Sequence, residues 1–155
     1  MDGALKAGVA RVNITPAVGF DWMADFMILA PAQTVMGELK ARALVLDDGA
    51  NQAAVVTADL LWFTGEIVAA VRHYVEQLTG IPGNHVILNA SHTHASAEVD
   101  VHYGASQEYI TELGKKVAGA IYMAWQNREE VRVGAGLGAC DLAISRWRQT
   151  EQGCE

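Results

Sequence analysis

At 155 residues, with 51% hydrophobic and 19% charged content, the chain has the makeup of a globular domain large enough to bury a core, which excludes a disordered segment. Its net charge is -7, and no run of Lys or Arg is present to track a phosphate backbone, so no nucleic acid partner is expected. No window approaches the ~20 apolar residues of a transmembrane helix, and Met1 to Ala7 is too short of apolar residues for a secretory signal, which predicts a cytoplasmic chain.

The first predicted element is a strand over Ala7 to Ile14, where period-two alternation places Val12 and Ile14 on one face before Thr15-Pro16 ends the run. Gly19 to Gly37 has little periodicity but carries Phe20, Trp22, Met23, Phe26, Met27, Ile28 and Leu29, so it reads as a long loop, functional or packed on another element. Leu39 to Leu46 and Ala53 to Ala58 flank Asp47-Asp48-Gly49-Ala50-Asn51-Gln52 and predict an antiparallel hairpin. Thr64 suits the cap of an amphipathic helix built on Ile67, Val68, Val71, Val75 and Leu78, which Gly80 and Pro82 stop.

His85 to Ala90 reads as a buried strand that runs out into Ser91-His92-Thr93-His94. A second helix is predicted from about Ser106 to Asn127, with Tyr109, Ile110, Leu113, Val117, Ile121 and Trp125 on one side. Val131 to Leu137 and Leu142 to Trp147 read as two further strands joined through Gly138. This order predicts an α/β domain with a mixed β-sheet and flanking helices. The last residues have no closing helix or strand in this reading, so the expectation is an incomplete domain.

The chemistry is concentrated at the end of the fourth predicted strand. Histidines at i and i+2 on extended backbone point the same way, with Cβ atoms roughly 7 Å apart, so His92 and His94 form a plausible metal pair. The alternative is a pair of polar residues hydrogen-bonded at a strand end. An apolar strand ending in Asn89-Ala90-Ser91-His92-Thr93-His94 gathers polar groups at the sheet edge where α/β proteins bind ligands. A catalytic zinc commonly takes three protein ligands, so two histidines are not enough. Asp59, Glu98, Asp100 and His102 are the candidates for the remainder, each weighed against a supporting or solvated role.

His73 and His85 read as structural. Arg146 and Arg148 alternate late in the chain, and either can orient a carbonyl or carboxylate if it is not simply a surface arginine. Cys140 and Cys154 have no metal-ligand spacing, and neither a disulfide nor a cysteine metal site is expected. A phosphate loop, a Gly-x-Ser-x-Gly nucleophile elbow and a dinucleotide fingerprint are all missing, and Gly134-Ala135-Gly136-Leu137-Gly138 reads as a turn or bulge, so ATP and NAD are disfavoured.

Taken together, Ala7 to Pro16, Ala41 to Gly49, Asp59-Leu60-Leu61, Gly80-Ile81-Pro82 and Asn89 to His94, with weaker matches in Arg132-Val133-Gly134 and Ile144-Ser145-Arg146, resemble the neutral/alkaline non-lysosomal ceramidase family. The pieces fall in the family's order within its N-terminal catalytic domain. The resemblance implies a zinc-dependent amidohydrolase that cleaves the N-acyl bond of a sphingolipid or similar amide with metal-activated water. It also implies that His92 is a zinc ligand, that His94 lies in the same site, and that Arg146 steadies the substrate or the developing oxyanion.

Three departures qualify this. The family often continues His-Thr-His with Ser-Gly-Pro, whereas this chain has Ala95-Ser96-Ala97. The other ligands implied by the resemblance (a second histidine, a glutamate and a tyrosine) belong to parts of the family domain beyond residue 155. Ceramidases are also generally exported, against the cytoplasmic expectation. The reading is therefore an N-terminal portion of a catalytic domain, inactive alone. The alternatives are a non-catalytic binding or scaffold domain of the same fold, or a hydrolase of a non-lipid amide or ester.

Overall fold

Alternation sets the register of the first strand, β1 (Lys6–Asn13), which pairs antiparallel with β2 (Lys40–Asp47) along its whole length, from Lys6 opposite Asp47 to Asn13 opposite Lys40. The hairpin partner β3 (Gln52–Ala58) follows through a turn in which Asp48 Oδ1 accepts from the amides of Ala50 and Asn51. The computed structural model describes residues 4–19, 23, 30–142 and 149–154.

Helix α1 (Gly65–Thr79) starts where the sequence places it, with Thr64 Oγ1 accepting from the Ile67 amide, and ends at Gly80, whose φ of 76° is a left-handed conformation that glycine adopts without a Cβ penalty. A 3₁₀ turn over Gly83–His85 then feeds β4 (Val86–Ala90), so the strand starts one residue later than predicted. β4 lies parallel to β3, and the intervening α1 makes the crossover that a parallel pair requires. Helix α2 (Gln107–Gln126) is capped by Ser106 Oγ, which accepts from the Tyr109 amide. The chain then returns to the sheet as β5 (Glu129–Glu130) beside β1.

The sheet order is β4-β3-β2-β1-β5, mixed, as expected for the α/β class. In register across the sheet, Val12, Ala41, Ala58 and Ala90 share one face with Ala10, Ala43, Val56 and Leu88. The buried core lies there, against Ile67, Val71 and Val75 of α1 and Leu113, Val117 and Ile121 of α2. Ile14 belongs to this core, and the Tyr109 hydroxyl donates to its carbonyl at 2.8 Å, tying the start of α2 to the end of β1. Gly8 is required where β1 passes under the end of α2, because a Cβ there would sit 2.0 Å from the carbonyl oxygen of Ala124.

The predicted strand over Val131 to Leu137 does not form. Pairing with β1 stops at Glu130, and Arg132 to Leu137 is exposed without regular structure, Val133 at 71%. Glycines at 134, 136 and 138 weaken extended structure, and no facing element buries the apolar residues between them. Leu142 is exposed and non-strand, and the rest of the run predicted to Trp147 lies outside the described residues. A short pair, β6 (Gln149–Thr150) with β7 (Gly153–Cys154), follows instead. Among the described residues no helix is long and apolar enough to cross a membrane.

Candidate functional site

β3 and β4 end side by side, and their carboxyl ends deliver Asp59 to Leu61 and Ser91 to His94 to one edge of the sheet. The Ala58 carbonyl accepts from both the Leu60 and Ser91 amides, each at 2.9 Å. Beyond Ser91 there is no further ladder, because β3 has ended. The backbone turns there, and His92 takes φ 62°, the one positive φ among the described non-glycine residues. Left-handed backbone is uncommon outside glycine and costs roughly 1–2 kcal/mol, and such residues concentrate at functional sites.

The extended His-Thr-His geometry expected from spacing is therefore corrected: the two histidines meet across a turn. Their ring centroids are 5.3 Å apart and the planes stand at 87°. Both residues are exposed.

The His92 ring is aimed by one hydrogen bond. Its Nδ1 lies 2.9 Å from the Leu61 carbonyl oxygen, and since a carbonyl can only accept, Nδ1 carries a proton, which in the neutral ring leaves the lone pair on Nε2. That is the arrangement of a metal-binding imidazole, one nitrogen donating to a backbone carbonyl and the other presented outward. His92 thus fits a zinc ligand, and His94 lies close enough to share its site. No group of three or more His, Cys, Asp or Glu side chains among the described residues is placed to hold a metal, and two imidazoles fall short of the three protein ligands a catalytic zinc commonly takes.

Of the other candidates, Asp59, Glu98 and Asp100 have structural partners. Asp59 Oδ2 accepts from the Lys40 amide at 2.9 Å, and Asp59 Oδ1 pairs with Arg42 at 3.0 Å. Glu98 is buried, 3% exposed, with Oε1 accepting from the amides of Val99 and Asp100. Asp100 caps a 3₁₀ turn over Val101–Tyr103 by accepting from the His102 amide, and His102 is exposed. His73 is exposed on α1, where its ring meets Tyr74, and His85 Nδ1 meets the Gln52 carbonyl at 3.0 Å, far from His92 along β4. Cys140 is exposed and free. Arg146 and Arg148 lie outside the described residues, as do Phe20, Trp22 and Phe26 to Leu29 of the apolar loop.

Two contributors had not been singled out, the Leu61 carbonyl and Ser96. Ser96 is 4% exposed and its Oγ accepts from the Leu61 amide at 3.2 Å. A cavity of about 720 Å³ opens beside the histidine turn, lined by Ser91, Thr93 and Asp59 together with Met23, Val35 and Met36. Met23 also bridges to Ala97 as an isolated antiparallel pair, so this part of the long loop packs on the histidine segment.

No family model and no curated protein matches the chain. Solved structures do match. The crystal structure of neutral ceramidase from Pseudomonas aeruginosa superposes with a TM-score of 0.72 at 19% identity, over 84% of this chain and 23% of that one. A ceramidase complexed with C2 gives 0.74 at 18% identity, over 83% of this chain and 22% of the other. The chain thus spans less than a quarter of the length of these two structures, and at such identity the likeness is one of fold: the described sheet and helices have the architecture of the matched segment of these ceramidases.

Proposed function

We propose that this chain is the N-terminal portion of a ceramidase-like, zinc-dependent amidohydrolase acting on an N-acyl amide, with His92 as a zinc ligand, His94 in the same site and Arg146 contacting substrate or oxyanion. The observation that carries the reading is the His92 ring, held at Nδ1 by the Leu61 carbonyl so that Nε2 is presented as a donor on a strained left-handed residue. The ceramidase fold likeness supports the same reaction class.

Zinc, when bound, would supply Lewis acidity that activates water and polarises the amide carbonyl. This chain's residues do the holding. The Leu61 carbonyl fixes the tautomer of His92, and His94 packs edge-on against it. The cavity beside Thr93, lined in part by Met23, Val35 and Met36, offers an apolar compartment for an acyl chain. Arg146, a permanently charged side chain, would steady negative charge developing on the amide oxygen. With two imidazoles as its zinc donors on this reading, the isolated chain is expected to bind zinc weakly and to turn over no amide.

The test is zinc content after dialysis of the longest natural polypeptide carrying this sequence, alongside hydrolysis of an N-acyl sphingosine and of a short-chain amide. Stoichiometric zinc and hydrolysis, both lost in His92→Ala, are expected. Zinc-free protein without turnover would favour a non-catalytic scaffold of the same fold, a reading that the Ala95-Ser96-Ala97 departure keeps open. Turnover of the short-chain amide alone would redirect the substrate away from lipids.

A further inference from the structure

Leu61 is gripped on three sides. The residue is buried at 1% exposure, its carbonyl accepts from His92 Nδ1 at 2.9 Å, and its amide donates to Ser96 Oγ at 3.2 Å. Ser96 is itself buried and its Oγ lies 3.3 Å from both the Thr93 and Ala97 carbonyl oxygens, to either of which the hydroxyl can donate, so the same hydroxyl closes the turn that follows His92. One side chain therefore ties the segment after β3 to the histidine segment after β4. With that hydroxyl absent the Leu61 amide is buried without an acceptor, which is costly enough to displace the segment toward water and carry the carbonyl with it.

We infer that Ser96 is a positioning residue that selects the tautomer of His92. By holding Leu61 it keeps the carbonyl against Nδ1, which forces the proton onto Nδ1 and leaves Nε2 bare. The purpose of this arrangement rests on the reading of His92 as a ligand, but the arrangement itself does not require a metal.

The test is the ¹⁵N shift pattern of the His92 ring in the labelled 155-residue chain, at a pH where the imidazoles are neutral, compared between the parent and Ser96→Ala. The parent is expected to show a protonated Nδ1 and an unprotonated Nε2. In the variant the proton should move toward Nε2, the position a free imidazole favours, with the His85 pattern unchanged as an internal control.

Should Ser96→Ala fail to fold, Ser96→Cys fills similar space with a weaker acceptor and is expected to shift His92 the same way by less. A His92 pattern identical to the parent in the folded variant, whatever its melting temperature, would make Ser96 a structural residue only and overturn the inference. Added zinc separates the two readings. Zinc that leaves the parent's Nε2 unmoved counts against the ligand assignment, whereas an unmoved tautomer in the variant counts against the positioning role.

Discussion

Both ends of β4 carry a histidine whose Nδ1 meets a backbone carbonyl, His85 on Gln52 and His92 on Leu61, at 3.0 and 2.9 Å. At the amino end the surroundings are closed. Gln52 accepts from Trp125 Nε1 and donates to Asp47, Asp47 pairs with Arg128, and the Arg128 guanidinium lies over the Trp125 ring. At the carboxyl end the histidine sits on left-handed backbone, exposed, with a second imidazole beside it and a cavity alongside. The hydrogen bond alone does not mark a ligand. What separates His92 from His85 is local strain, held in place by Leu61 and Ser96, together with the company the ring keeps.

The largest expected effect belongs to the closed end. Gly8→Ala drives a methyl into the Ala124 carbonyl and the Arg128 amide, and should destabilise the chain by about 3 kcal/mol, read as a lowered thermal midpoint. An unchanged midpoint would mean that β1 and the end of α2 part easily. At the open end, His92→Gly should be more stable than His92→Ala by about 1 kcal/mol, since only glycine takes the left-handed conformation freely. Equal denaturation midpoints for the two would remove the strain argument.

His85→Ala is the counterpart. Its loss should cost about 1 kcal/mol, the worth of an ordinary hydrogen bond, and leave zinc binding untouched. Weakened zinc binding in that variant would erase the distinction between the two ends. The smallest effect concerns Asp48 in the β2–β3 turn, whose carboxylate is held below the usual aspartate range by the backbone amides of Asn51 and Ala50. A depressed acid contributes stability above its unfolded value that is lost as pH falls through the folded one, so Asp48→Asn should flatten the acid limb of the stability curve. An acid limb of parent slope would place the acid sensitivity elsewhere.

Local signals carried most of the fold. Thr64, Gly80 and Ser106 announce helix boundaries because capping is settled within one turn of chain, and the acidic turn after Leu46 announces the hairpin for the same reason. Val131 to Leu137 misled because an apolar run becomes a strand only where a neighbour buries it, and Val133 has none. At the site, the sequence brought His92 and His94 together but implied extended backbone. The turn at His92 follows from where β3 ends, which no spacing within the motif encodes. Ser96 stood visible only as a departure from the family's Ser-Gly-Pro. Its bond to Leu61 spans 35 residues and depends on the parallel pairing of β3 and β4.

The proposed role of His92 is to present Nε2 to a metal. Zinc titration of the ¹⁵N-labelled chain, carried to large excess over protein to overcome the weak affinity of two imidazoles, is followed at the histidine ring nitrogens. His92 Nε2 should shift on zinc addition while His92 Nδ1 stays protonated and His85 does not respond. Zinc that moves His85 as much as His92, or that leaves His92 unmoved, would contradict it.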